Sequence, residues 1–158
     1  MDPAQVVEAY FKFLPILIGI SVLGLGGCVW ASVVYRRSRG KPIVFTGVEG
    51  ADYLETAASG HSHRTWYTRL GGASRVLVVA VAGGRLIIRP RFPFNLLFMP
   101  EIYGMEYEVP VDQITSVQPR EGRSSRVDVQ FRDATNGLQT VTLYLRDRDR
   151  FTESLRKK

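Results

Sequence analysis

The stretch that most restricts the fold runs from Phe13 to Tyr35 and contains no charged residue. Its 23 positions exceed the roughly 20 residues that an α-helix needs to cross the hydrocarbon core of a bilayer. A chain of 158 residues has room for this helix and about one ordinary domain. We therefore predict a single transmembrane helix over residues 13–35, preceded by a short N-terminal segment, residues 1–12.

Charge differs between the two sides of this predicted helix. Residues 1–12 carry a net charge of −1, whereas four cations follow the helix within six positions: Arg36, Arg37, Arg39 and Lys41. Cationic residues beside a membrane helix stay on the cytoplasmic side and attract anionic lipid headgroups. We therefore expect the N-terminus outside the cytoplasm, the remaining chain inside it, and these four side chains in contact with anionic phospholipid.

The single cysteine, Cys28, leaves a second interpretation open. Leu25–Cys28 reads LGGC, a loose match to the box at which lipoproteins are cleaved and acylated. Signal peptides begin with positive charge, whereas Asp2 and Glu8 outnumber Lys12 here, and seven uncharged residues continue after the cysteine. These flanks favour a membrane anchor, with a periplasmic lipoprotein acylated at Cys28 as the alternative.

Small residues recur at four-residue spacing within the apolar stretch. Gly27 and Ala31 form one such pair, and Gly24, Cys28 and Ser32 form a second row. Small residues at this spacing let two membrane helices approach closely. A helix-mediated homo-oligomer is therefore one expected form of association.

The segment between the anchor and the domain, residues 36–63, predicts a basic juxtamembrane stretch followed by a tether. Pro42–Val48 could form a short strand, but Glu49–His63 is rich in small and polar residues, as loops are. His61 and His63 are the only histidines. A His-x-His pair needs further ligands to hold zinc, and none is arranged nearby. We expect exposed loop histidines and no metal.

From Arg64 onward, short runs of alternating apolar and polar residues are typical of half-buried strands. Arg64–Leu70 is rich in β-forming residues. Arg75–Arg91 holds two apolar runs around Gly83-Gly84, which indicates a hairpin. In its second run, Leu86 and Ile88 are expected to share one face, with Arg85, Ile87, Arg89 and Arg91 on the other.

The C-terminal third predicts two more strands and a helix. Val127, Val129 and Phe131 are expected to face the core, with Asp128 on the solvent side. Val141, Leu143 and Leu145 share one face in the same way. The last residues are compatible with a helix, in which Phe151 and Leu155 lie four positions apart and cover one end of the strands.

This order of elements resembles the pleckstrin-homology-like (PH-like) superfold, in particular bacterial PH-like and GRAM-type domains. Three stretches carry the resemblance: VLVVAVAGGRLIIRP (residues 76–90), YEVPVDQITSV (107–117) and VTLYLRDRDRFTESL (141–155). It implies a mainly β domain over residues 64–158, a partly open barrel of about seven antiparallel strands with a C-terminal capping helix. It also implies that Ile114 is fully buried. Such domains often follow membrane spans in bacterial proteins, which implies a single-pass protein of the bacterial inner (plasma) membrane.

Motifs of catalysis and of nucleic-acid binding are missing from the sequence. It contains no suggestive Ser/His/Asp set, phosphate-binding glycine loop or metal cluster, and a net charge of +6 is explained in part by membrane topology. We therefore predict a non-enzyme without cofactors and without nucleic acid. It is expected to dock a membrane-protein partner, or to act as an accessory or assembly subunit of a membrane complex; binding of anionic lipid at the inner leaflet is the alternative.

The candidate contact surface combines arginines with an apolar loop that contains several prolines, which break long regular elements. The loop is expected either to fold back over the open end of the barrel or to form an exposed patch, and such patches mark partner or membrane sites. Glu106 and Glu108 share a nearby strand face, which we expect to be solvated. The residues expected at the contact surface are Arg85, Arg89, Arg91, Phe92, Phe94, Leu96, Leu97, Phe98 and Met99.

Overall fold

The computed structural model describes residues 3–45, 48, 50–66, 68, 71–97, 103–120, 125–133 and 137–156. The chain divides into two compact units, Met1–Ile43 and Val44–Lys158. The first unit contains one long helix. The second contains a β-sheet and a short helix.

Helix α1 spans Pro3–Ser38 and includes the uncharged stretch of the sequence. Its segment Tyr10–Ser38 contains an 18-residue stretch with a mean hydropathy of 2.1 and is long and apolar enough to cross a membrane. Large apolar side chains along it, such as Leu23 and Trp30, are exposed. The expectation of one apolar N-terminal helix is confirmed; by length and composition it is a candidate membrane span, and a signal sequence satisfies the same criteria.

The end of α1 is set by Gly40. This glycine has a φ of +66°, and its N–H donates to the carbonyl of Arg37 at 3.1 Å, while Lys41 N–H donates to the carbonyl of Arg36 at 2.9 Å. This pair of hydrogen bonds is a Schellman motif, which requires the left-handed conformation that glycine adopts without steric cost. The helix therefore ends close to the cationic cluster.

Within the described residues, seven strands form one antiparallel sheet in the order β4-β3-β2-β1-β7-β6-β5. Strands β4 and β5 are the two edges, so the sheet stays partly open. This confirms a mainly β fold. The bounds are β1 Tyr53–Ser62, β2 Ala73–Ala82, β3 Arg85–Pro90, β4 Tyr107–Pro110, β5 Ile114–Pro119, β6 Arg126–Arg132, β7 Leu138–Tyr144, and helix α2 Arg148–Arg156.

Strand β1 corrects the prediction of a tether. It lies at the middle of the sheet, between β2 and β7, and its Tyr53 and Ala58 belong to the core. The unit that contains the sheet begins at Val44, not at Arg64. Its small residues allow β1 and β7 to approach each other closely. A Cβ built at Gly60 would lie 2.7 Å from the carbonyl oxygen of Thr142 on β7.

Two further strand expectations are wrong for the described residues. Trp66 and Thr68 are helical, because the Thr65 N–H donates to the Thr68 hydroxyl oxygen at 3.0 Å and closes a tight turn. In Pro42–Val48, the described positions contain no strand. In the segment with Trp66, the Thr68 hydroxyl hydrogen-bonds to the backbone of Thr65. Such local hydrogen bonds compete with strand pairing.

The hairpin and the inward faces agree with the sequence. Gly83 and Gly84 both have positive φ, +55° and +71°, as a two-residue type I′ turn requires. The residues expected to face the core, to share one strand face or to cover the end of the strands are buried: Leu86, Ile88, Val127, Val129, Phe131, Val141, Leu143, Leu145, Phe151 and Leu155. Phe151 of α2 packs edge-on against Tyr53, with ring centroids 5.3 Å apart.

Ile114 departs from the expectation of full burial. It packs against the core but is only half-buried. The reason is its place in the sheet, since β5 is an edge strand with a neighbouring strand, β6, on one side. The half-buried side chains of β5 therefore line a surface groove.

Candidate functional site

A groove of about 360 Å³ lies between the edge strand β5 and helix α2. Its apolar lining comes from Val111, Ile114, Val117 and Leu155, and three hydroxyls and one cation complete it: Thr115, Ser116, Thr152 and Arg156. Leu155 belongs to the core, and the other three apolar residues are partly buried and pack against it. We call this the β5–α2 groove.

The backbone of β5 adds hydrogen-bonding capacity to this groove. Among the residues that the structure describes, β5 pairs only with β6. An edge strand presents N–H and C=O groups on its open side, where another chain can pair. The strand is short and ends at Pro119, and both properties limit uncontrolled pairing.

The arginines predicted at the contact surface are largely compensated by carboxylates. Arg85 Nη1 lies 2.7 Å from Glu108 Oε1, and Arg89 Nη2 lies 2.9 Å from Glu108 Oε2. Arg89 Nε also lies 3.9 Å from Glu106 Oε1. These cross-strand pairs lower the positive potential of this face. Arg91 is exposed, and its guanidinium lies 5.8 Å from the ring centroid of Phe94.

The apolar loop after β3 is partly exposed and partly buried. Phe92 is 51% exposed, whereas Leu96 is only 7% exposed, so Leu96 is not available at a contact surface. Phe94 and Leu97 are half-buried. The remaining predicted contact residues, Phe98 and Met99, lie outside the described residues.

The four juxtamembrane cations differ in their surroundings. Arg36 Nε donates to the carbonyl of Pro42 at 3.1 Å, which ties this side chain to the turn after α1. Arg37 and Arg39 are exposed, and the Arg39 guanidinium lies 5.6 Å from the Tyr35 ring centroid. Lys41 is half-buried. Arg37 and Arg39 are therefore the most accessible members of this cluster.

A polar network across β1, β7 and β6 was not foreseen from the sequence. Asp128 alternates with the core residues Val127 and Val129, as expected from the sequence, but it is only 8% exposed and therefore not solvated. Its carboxylate accepts hydrogen bonds from the Thr142 hydroxyl at 2.6 Å and from Arg120 Nε at 2.9 Å. Burial alone raises the pKa of Asp128, but these hydrogen bonds and the charge of Arg126 outweigh it and lower the pKa.

Both histidines adjoin this network, so the expectation of exposed loop histidines is wrong. His61 lies on β1, His63 directly follows it, both are half-buried, and their ring centroids are 5.0 Å apart. His63 Nε2 lies 2.9 Å from the Thr142 hydroxyl oxygen. Because that hydroxyl donates to Asp128, His63 Nε2 carries the proton of this hydrogen bond.

His61 is predicted to make stability depend on pH. Burial, His63 and Arg126 lower the pKa of His61 below its ordinary value of 6.5, against a smaller opposing effect of Asp128. The unfolded chain therefore takes up a proton on this ring at a higher pH than the folded chain does. We expect His61 to have no effect on stability well above pH 6.5 and to reduce stability as the pH falls below that value.

This dependence is checked by denaturant unfolding of the full chain in neutral detergent at about pH 7 and about pH 5, the range in which histidine titrates. His61→Asn should lose less stability over this interval than the natural chain. Titration of Asp128 does not contribute over this interval, because its lowered pKa keeps the carboxylate ionised above pH 3.8. An unchanged pH dependence in His61→Asn would contradict the assignment.

Within the described residues, no group of three or more His, Cys, Asp or Glu side chains is arranged to hold a metal ion. No protein-family model, curated protein or solved structure matches the chain. The β5–α2 groove is therefore the candidate site on geometric grounds alone.

Proposed function

We propose that this chain is a membrane-anchored, non-catalytic module that docks an extended segment of a partner protein. The observation that carries this proposal is the β5–α2 groove, in which an open strand edge lies beside an apolar surface. Extended peptides bind such edges by adding a strand, with main-chain hydrogen bonds for affinity and pockets for alternate side chains.

The lining of the groove indicates the chemistry of the segment. Ile114 and Val117 offer apolar contact to side chains that project from one face of an added strand. Arg156 is exposed at the α2 side of the groove and complements a carboxylate. The proposed occupant therefore carries apolar residues at alternate positions and an acidic residue, or a C-terminal carboxylate, near Arg156.

Helix α1 supports the membrane part of the proposal. It continues for ten residues beyond Cys28, to Ser38, which favours an anchor over cleavage at the lipoprotein box. The four cations near its end favour a cytoplasmic position for the domain and an extracytoplasmic N-terminus. From the helix, the cations and the PH-like resemblance, we propose that the chain is a single-pass protein of the bacterial inner membrane and lies near a membrane-protein partner.

Lipid binding through the predicted contact surface is less well supported. Arg85 and Arg89 are both paired with Glu108, so this face presents less positive charge than the sequence indicates. Phe92 and Arg91 remain exposed. Protein docking at the β5–α2 groove therefore takes precedence.

Docking is tested by selecting random ten-residue peptides displayed on phage against the full chain in neutral detergent. Selected peptides should share apolar residues at alternate positions and an acidic residue. Ser116→Arg and Thr152→Arg place bulky cations in the groove and should each weaken a synthetic selected peptide at least about tenfold, or about 1.4 kcal/mol. Arg156→Glu should disfavour the acidic peptides.

The matched control is Leu138→Arg, because Leu138 is 63% exposed and lies on β7, outside the groove. It should leave peptide affinity unchanged. Peptides that bind the groove variants and the natural chain equally would refute docking at this site, as would a selection that enriches no peptide.

A further inference from the structure

A second cavity, of about 200 Å³, lies where β1 separates from β7. Pairing of these strands runs only from Ser59 to Ser62, so the earlier part of β1 diverges from the chain that enters α2. Ala57 and Ser59 of the lining flank the core residue Ala58, whereas Glu55 pairs with the core residue Val79 of β2, because the register of β1 shifts between Glu55 and Ala58. The cavity, which we call the β1–β7 cleft, therefore lies at the gap between the two strands and is lined from both faces of β1.

Arg75 reaches this cleft through a β-bulge. The register passes from Ala58↔Leu77 to Gly60↔Ala73, so residues 74–76 of β2 lie opposite Ser59 alone. Arg75 has a φ of +56°, a conformation that costs a non-glycine residue about 1 kcal/mol or more. Its N–H donates to the Ser59 hydroxyl oxygen at 2.9 Å. The bulge thus directs an arginine to the cleft, as bulges do near functional sites.

Two exposed arginines and three hydroxyl-bearing residues line the cleft. Arg75 and Arg146 both line it, with the hydroxyls of Ser59, Ser125 and Tyr144. In the part of the chain that the structure describes, neither guanidinium forms an ion pair with a carboxylate. The Ser59 hydroxyl accepts the Arg75 N–H and keeps its own hydrogen for donation.

One carboxylate also lines the cleft, and one of its two oxygens accepts two hydrogen bonds. Glu55 Oε2 accepts hydrogen bonds from the Tyr53 hydroxyl at 2.7 Å and from the Arg146 N–H at 3.0 Å. The lining side chains therefore carry a net charge of +1 at neutral pH. Two guanidinium groups and three hydroxyls supply more donors than the two oxygens of a carboxylate ligand use, and they suit a tetrahedral phosphate.

We propose that the β1–β7 cleft binds a phosphate group, held by Arg75 and Arg146 and by the hydroxyls of Ser59, Ser125 and Tyr144. The phosphate belongs either to a soluble phosphomonoester or diphosphate or to a lipid headgroup. The cleft and the β5–α2 groove have no lining residue in common. A phosphate ligand would therefore be bound in addition to a protein partner.

The test titrates pyrophosphate and dihexanoyl phosphatidic acid, in separate arms, into the full chain in neutral detergent by calorimetry. At least one probe should bind. Arg75→Gly removes one guanidinium and relieves the strain of the positive φ. Arg146→Gln removes the other guanidinium and retains the backbone N–H that donates to Glu55. Each variant should weaken binding at least about tenfold, the effect of losing a charge-assisted hydrogen bond. Binding of pyrophosphate alone identifies a soluble ligand, and binding of phosphatidic acid alone identifies a headgroup.

Arg132→Gln is the matched control, because Arg132 is exposed at the opposite end of β6. It removes the same charge and should leave affinity unchanged. Absence of heat with both probes, or equal weakening by the control, would overturn the proposal. If Arg75→Gly alters folding, the affinity of Arg146→Gln for the probes decides whether the proposal holds. Ser116→Arg, which disrupts the β5–α2 groove, should not affect phosphate binding, so the two proposals fail independently.

Discussion

Replacing Phe131 by alanine is expected to lower the free energy of unfolding by about 3–5 kcal/mol. Phe131 is fully buried on β6, and its ring packs edge-on against Tyr107 with centroids 5.0 Å apart. Truncation removes this contact and leaves a cavity beneath the sheet. Since native domains are stable by only about 5–15 kcal/mol, the variant should approach instability at ordinary temperature.

The measurement is denaturant unfolding of the full chain in neutral detergent, followed by far-UV circular dichroism. Leu138→Ala is the control, because Leu138 is 63% exposed and lies opposite Arg132 in the register of β6 and β7. It should change stability by no more than about 0.5 kcal/mol. A similarly small effect of Phe131→Ala would show that β6 does not face the core as described.

Replacing Gly60 by valine is expected to cost about 3 kcal/mol, the upper end of the cost of overpacked sites. A Cβ at this position would lie 2.7 Å from the Thr142 carbonyl oxygen and 3.1 Å from a methyl carbon of Leu143. The first neighbour is backbone of β7 and cannot move aside without disturbing the pairing of β1 and β7. Valine adds two methyl groups to this clash.

Thr56→Val is the control on the same strand, because Thr56 is exposed and valine has nearly the same shape. Its effect should stay within about 0.5 kcal/mol. The comparison separates two accounts of residues 49–63. In a tether, Gly60→Val and Thr56→Val would be equally harmless. In a central strand, only the glycine substitution disrupts the sheet.

Charge and composition alone did not locate the candidate sites. Glu108 lies 23 positions after Arg85 and 19 positions after Arg89 in the chain. Only the antiparallel register of β3 and β4 brings the three side chains together. The loop with Phe92 and Leu96 is apolar throughout, yet one side chain is exposed and the other is buried. Sequence patterns identify residue types, whereas availability depends on what packs against them.

The sites that the structure adds had weak signals in the sequence. The β5–α2 groove requires that β5 be an edge and that α2 pack beside it, which are properties of strand order. The β1–β7 cleft depends on a bulge at Arg75, a residue that ordinarily avoids positive φ. A sequence search for exposed cations finds Arg75 and Arg146 individually but has no means of placing them in one cavity.

Local periodicity was sufficient for α1, the β2–β3 hairpin and the inward faces of β6 and β7. Continuous apolar residues, a Gly-Gly turn and two-residue alternation each act over a few positions, so the sequence by itself determined these elements. The position of β1, the burial of Asp128 and the half-exposure of Ile114 were decided only by the tertiary structure. Each depends on which strands become neighbours, because close strand approach, hydrogen bonds to Asp128 and an open edge at β5 arise from contacts between residues far apart in the chain.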